Sequence, residues 1–323
     1  LPDRGRDLPG LTLNRVCVVM ARLLPTARRS RSLARCFSSS NLEYASTCWL
    51  PTTWVSLPLV AREQHTHDTT LYDFGIPGNP APSLSLPTCA CLLLRAPGRG
   101  RKAGGGPTDF DGSDAVRPYT PISDESVKGS FRLLVKRYQD GSVSDYLHGL
   151  PLGATVDFRH ISFNVKEQYP FEGKQRITLL CGGTGIAPMY QALLKLMGPS
   201  DTREVTLVYG SKSEADILLR DELEAFAQAA PERFKLVHVL GDRPDGAAPE
   251  GWQSAGAYSA SSGWIDKAKV EEFCHPPADD TLVFVCGVPG LYDSLCGPRT
   301  ERDLAEGSVL HQLGYSASMV AKM

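Results

Sequence analysis

An antiparallel β-barrel domain followed by a doubly wound, parallel-sheet α/β domain is the fold class that this sequence predicts. Three observations predict it. From about Trp54 to Phe158, short apolar runs are broken by Gly, Pro and Asp, the pattern of a small barrel. After Gly173, strand-like runs alternate with helix-like ones, as a parallel sheet covered on both faces requires. A length of 323 residues accommodates two domains of ordinary size. Hydrophobic residues make up 42% and charged residues 22%, which excludes wholesale disorder, collagen and coiled-coil classes.

The elements follow in chain order. Residues 1–48 are set apart as a leader. Met20 is the expected natural start, and residues 20–40 hold five arginines, five serines and no acid. That is the composition of a mitochondrial presequence. Leu23, Leu24, Ala27, Ala34 and Phe37 supply an apolar face, and Arg35–Ser38 resembles a processing site cut after Phe37. A plastid address shares this composition, and a disordered basic tail is the plainer alternative. The barrel domain is expected over 49–172, with strands at Val55–Val60, Thr70–Phe74, Cys89–Leu94, Phe131–Tyr138 and Thr155–Phe158. Ala96–Gly112 is rich in Gly and charge and reads as a flexible surface loop. Its Arg99, Arg101 and Lys102 have no aromatic platform to make them a nucleic-acid patch. The second domain is expected over 173–323. Its strands are Arg176–Cys181, Glu204–Tyr209, Phe234–Leu240 and Thr281–Cys286, and its helices Met189–Met197, Leu219–Ala229 and Asp266–Cys274.

Charge and cysteine usage narrow the function. With 34 basic and 36 acidic residues the net charge is −2, so no global field points to nucleic acid. No run of 18 apolar residues forms a conventional membrane-spanning helix. The nine cysteines show no CxxC pair or metal-ligand spacing, which fits a thiol-tolerant compartment and no metal.

Four short segments carry chemistry. Arg117–Ser123 reads RPYTPIS, offering a guanidinium fork for phosphate, a ring for stacking and the Thr120 hydroxyl. Alone it is equally an edge strand with two prolines. Gly141, Ser142, Val143 and Ser144 form a turn entering a short helix, whose free N–H groups suit a diphosphate. The plainer alternative is an N-cap serine. Gly182, Gly183, Thr184 and Gly185, then Pro188, follow a strand and open a helix, so the backbone can approach an anionic ligand. Cys286, Gly287 and Pro289 end the fourth strand and should face the same crevice, because ligands bind at the carboxyl ends of parallel strands. A buried cysteine is otherwise just a small hydrophobe.

Taken in order, RPYTPIS, GSVS, GGTGIAPM and CGVPG resemble the ferredoxin–NADP reductase superfamily, most closely its cytochrome b5 reductase branch, over about Pro51 to Met323. His67–Thr69, Asp216–Arg220 and the terminal LGYSASMVAKM support the likeness. The resemblance implies an FAD barrel and a nicotinamide domain. It implies that Arg117 and Ser144 hold the FAD diphosphate, with Pro118, Gly141, Ser142 and Val143 beside them, and that Tyr119 packs on the flavin. Thr120 and Cys286 are implied at the reacting centre. Leu134, Lys136 and Tyr138 line the cofactor strand, and Thr184 contacts FAD. Gly182, Gly183, Gly185, Pro188, Gly287 and Pro289 shape the nicotinamide crevice, and Asp216 favours NADH over NADPH.

The implied activity is hydride uptake from NADH and single-electron delivery to a haem protein such as cytochrome b5. Support of haem reduction during cytochrome c maturation is a second reading, and a non-catalytic interaction protein that keeps the fold a third. Peripheral membrane association is open. The sequence departs from the family at Ser142, where a lysine is usual, at CGVPG in place of CGPPPM, and at Leu86–Arg95. The first departure predicts weaker hold on FAD.

Overall fold

The computed structural model describes residues 48–106, 108–161, 167–242 and 258–323. The leader expected over residues 1–48 thus lies almost wholly outside the described residues.

Six antiparallel strands build the first domain: β1 (Val55–Thr66), β2 (Thr69–Gly75), β3 (Leu92–Ala96), β4 (Ala115–Tyr119), β5 (Ser130–Lys136) and β6 (Thr155–His160). Their order is β4-β3-β6-β1-β2-β5. The two edges meet beyond the end of β4, where the Ile122 N–H donates to the Arg132 carbonyl at 2.9 Å and the Arg132 N–H to Ser123 Oγ at 3.1 Å. Alternate residues turn inward, so Leu57 and Leu59 of β1 are fully buried while Val60 is exposed. Phe74, Phe131 and Phe158 meet at the centre, with Phe158 edge-on to both neighbours at 4.7 and 5.2 Å. Helix α1 (Ser142–Gly149) closes the barrel by burying Val143 and Leu147 in the same core.

Two expectations are corrected here. Strand β3 begins at Leu92, not Cys89, because Cys89 adopts a left-handed backbone at φ 62° inside a turn. Ala96–Gly112 is not a structureless loop. It prolongs the β3–β4 hairpin through Gly100 N–H to the Ser113 carbonyl (2.7 Å), Lys102 N–H to the Asp109 carbonyl (3.1 Å) and an Arg101–Phe110 bridge. The Arg99 guanidinium lies over the Phe110 ring.

The second domain is a parallel sheet ordered β10-β9-β8-β7-β11-β12. Its strands are β7 (Arg176–Gly182), β8 (Glu204–Ser211), β9 (Phe234–Leu240), β10 (Tyr258–Ser262), β11 (Thr281–Cys286) and β12 (Val320–Lys322). Side chains alternate between two faces. Leu179, Leu207, Leu236 and Phe284 pack with α2 (Ile186–Leu196) and α3 (Arg220–Ala229). Leu180, Val208, Val237 and Val283 pack with α4 (Lys267–Phe273), α5 (Pro289–Leu295) and α6 (Val309–Gln312). The sheet is therefore doubly wound. Leu71, Ile122 and Leu134 of the barrel belong to the α2 face's core, which welds the two domains. Among the described residues, no helix is long and apolar enough to cross a membrane.

Candidate functional site

Strand order reverses at β7. The chain runs from β7 outward through β8, β9 and β10, then returns to lay β11 on the other side of β7. Such a switch point leaves a crevice at the carboxyl ends of the two strands. Here the crevice opens against the barrel wall and forms a cleft of about 1060 Å³. Both domains contribute to it.

On the barrel side, Pro118, Tyr119 and Thr120 come from the end of β4, Leu134 and Lys136 from β5, and Tyr138 from the turn after it. Tyr119 packs on the barrel core, and burial pushes its phenol pKa up, so it is a neutral ring wall. On the other side stand Gly182, Gly183, Thr184, Gly185, Pro188, Cys286 and Gly287. The glycine turn is pinned by the Tyr209 hydroxyl, which donates to the Gly183 carbonyl at 3.1 Å. A Cβ on Gly185 would stand 2.2 Å from the Cys286 carbonyl oxygen, so only glycine lets the two strand ends approach this closely. Cys286 pairs in register with Cys181. Burial pushes the thiols of Cys181 and Cys89 up, with Cys286 adding to the shift. These two thiols are therefore protonated. Cys89 Sγ donates to the Pro188 carbonyl at 3.3 Å and ties the barrel to the helix entrance.

Seven sequence-predicted residues do not line the cleft. The exposed Arg117 guanidinium donates to the Val116 carbonyl at 2.8 Å. Ser142 and Ser144 are buried, Val143 belongs to the barrel core, and Ser144 Oγ accepts from the Tyr138 N–H at 3.3 Å. Gly141 is the N-cap of α1, and a Cβ there would collide with Ser144 Oγ. Pro289 is exposed and starts α5.

Asp216 is the clearest departure from expectation. It does not line the cleft. It accepts from Lys136 Nζ at 3.2 Å and from Ser213 Oγ at 2.6 Å, and Lys136 also reaches Asp68 at 2.7 Å. Burial opposes the charge of both carboxylates, but hydrogen bonds from Ser213 and Lys136 to Asp216, and from Lys136 and Thr69 to Asp68, outweigh it. Both carboxyls are held below the usual range. Burial likewise opposes the Lys136 ammonium, and the two carboxylates outweigh it and raise its pKa. His67, Asp68 and Asp216 offer ligand atoms within 4.8 Å of one another. The lysine bonded to both carboxylates makes this cluster an ion-pair latch between the domains.

Residues that the sequence did not single out as ligands complete the cleft: Cys89, Cys91, Asp242, Trp264, Arg299 and Met323 among them. Trp264 is 78% exposed, unusual for an indole, and the sequence marks it only as a tryptophan directly after Gly263.

The site fits a dinucleotide flavin on its barrel side and a nicotinamide nucleotide on the other. Two tyrosines give a flat wall, and α1, whose first turn no side chain caps, begins four residues after Tyr138. The glycine turn opens α2 at the switch point, with Lys212 and Arg299 as cations for phosphate.

Comparison with known proteins agrees. The family described as Oxidoreductase FAD-binding domain matches residues 56–161, and Oxidoreductase NAD-binding domain matches 179–297. A protein of Emericella nidulans named NADH-cytochrome b5 reductase 2 is 36% identical over 275 residues, spanning 83% of this chain and 77% of that protein. Its namesake in Saccharomyces cerevisiae is 34% identical, spanning 83% of this chain and 82% of that protein. Among solved structures, the cytochrome b5 reductase domain of Ulva prolifera nitrate reductase superposes with a TM-score of 0.67 at 30% identity, over 84% of this chain and 98% of that domain.

Proposed function

This chain belongs to the NADH-cytochrome b5 reductase family, and from that premise we propose that it oxidises NADH with bound FAD and delivers electrons singly to cytochrome b5. The observation that carries this reading is the cleft itself, where the switch point of a parallel sheet faces an aromatic barrel wall. Flavin, when bound, supplies the conversion of a two-electron hydride into two one-electron transfers.

The chain's own residues supply placement. Tyr119 gives a neutral flat wall, and Thr120 beside it lines the same cleft and would offer its hydroxyl to a ring held there. The glycine turn and Cys286 line the cleft at the ends of β7 and β11, and these residues would hold a nicotinamide nucleotide. The core shared by the two domains would fix how bound flavin and nicotinamide meet, so that orientation replaces a chance encounter.

An anaerobic titration of the purified chain tests this. A flavin spectrum bleached by stoichiometric NADH, with NADPH slower, is the expected result. A colourless protein that takes up no FAD and reacts with neither nucleotide overturns it and leaves a fold kept for binding.

We further propose a mitochondrial address in residues 20–40. Five arginines, five serines and no acid support it. Residues 20–48 fused to a fluorescent protein should bring it to mitochondria; diffuse fluorescence counts against the address.

A further inference from the structure

The hairpin extension between β3 and β4 reaches the turn that opens α1. There the Arg101 guanidinium donates to the Asp140 carbonyl. Asp140 has φ 60° and directly precedes Gly141, the N-cap of α1. The same turn is closed by the Gly141 N–H on the Tyr138 carbonyl at 2.9 Å and the Tyr138 N–H on Ser144 Oγ at 3.3 Å. Tyr138 lines the cleft, so this turn stands at its mouth. Arg101 is held there from its own side as well, by the bridge to Phe110 and the Lys102–Asp109 bond.

The charges around the turn single out Arg101. Helix α1 brings Asp145 in its first turn and no basic residue until His148 in its last. Arg137 is paired with Asp145 at 2.9 Å, and Lys136 with Asp68 and Asp216. Arg117, on the neighbouring strand β4, is exposed. A flavin dinucleotide carries two negative charges on its diphosphate, and a guanidinium has five N–H donors, more than one carbonyl can use.

We infer that Arg101 is a cofactor-holding residue: together with Arg117 and the first-turn N–H groups of α1, it binds the diphosphate of FAD. This rests on the FAD reading above. It assigns the hairpin extension a role in the site. It also places a cation beside the helix start, where Ser142 offers none.

The test is FAD uptake by the full chain after its flavin is stripped, followed by quenching of flavin fluorescence at several salt concentrations. Arg101→Ala should weaken FAD binding about tenfold or more, the scale of a lost charge-assisted hydrogen bond. It should also flatten the dependence of affinity on salt. Arg101→Lys should recover part of both. An alanine variant within twofold of the parent and equally salt-dependent overturns the inference. So does a lysine variant no better than alanine, which would mark the contact as structural only. A parent chain that takes up no FAD overturns the flavin reading itself, and this one with it.

Discussion

Gly185 tolerates no side chain, because both nearest atoms are backbone: the Cys286 carbonyl oxygen at 2.2 Å and its carbon at 2.6 Å. Gly185→Ala should cost about 1–3 kcal/mol in urea unfolding, the range of an overpacked interior, and the variant should lose its nucleotide response first. Gly183 is the contrast, with φ 54° but open space for a Cβ, so alanine there strains the backbone without prising the strands apart. His238 sets a pH dependence. Its burial, with Arg220 nearby, depresses its pKa to about 4, against a partial offset from Glu214. The fold therefore holds the neutral ring, while the unfolded chain takes up a proton near 6.5. Stability is full above that value and falls as pH drops through 6.5 to 4, by up to about 3 kcal/mol. His238→Phe should flatten that part of the urea-midpoint profile between pH 7 and 4.5; an unchanged slope would assign it elsewhere. At this scale the sequence showed the glycine turn, Tyr119, Thr120 and Cys286, because glycine and strand-end chemistry are local. The Lys136–Asp216 pair was not legible, because its two residues belong to different domains and lie 80 positions apart.

Strand β5 does two jobs in three residues: Leu134 faces the cleft and core, and Lys136 ties Asp68 to Asp216. Lys136→Met leaves two partly buried carboxylates facing each other. It should cost about 2 kcal/mol at neutral pH, read as a lower thermal midpoint. The sign follows from the shifts. The lowered carboxyls give stability that is present above about pH 4 and lost as pH falls through their folded values, whereas the raised lysine loses its share only as pH rises through a value above 10.5. The difference in thermal midpoint between the parent and Lys136→Met should thus be flat from pH 5 to 9, where the His238 slope is common to both, and a difference drifting across that range would contradict the latch. Elements with continuous apolar runs, such as β7 and β11, were legible. The edge strands were not: β10 reads YSASS and β12 has three residues, so backbone pairing with β9 and β11 defines them more than side chains do. Strand β4 is an edge in fact, which is where Pro118 can stand without a missing ladder bond. The 96–112 hairpin escaped notice because its bonds are backbone bonds among Gly, Ser and Asp, which composition alone reads as loop.

For the whole molecule, alternation of strands and helices was enough to foresee two domains and a crevice between β7 and β11, since handedness and switch points follow from connectivity. The interface was not foreseeable, because the core shared by Leu71, Ile122 and Leu134 with the second domain joins residues far apart in sequence. The same connectivity has a consequence for how the protein is made. Strand β7 leaves the ribosome with β8 to β10 soon after it, and they fill only one of its flanks. The other flank waits for β11, which is among the last elements to emerge. During that interval a nascent chain carries a bare, apolar sheet edge and half a nucleotide crevice. Chains stopped before Thr281 should therefore be captured by chaperones or aggregate, while chains that extend past Lys322 complete both edges of the crevice at once.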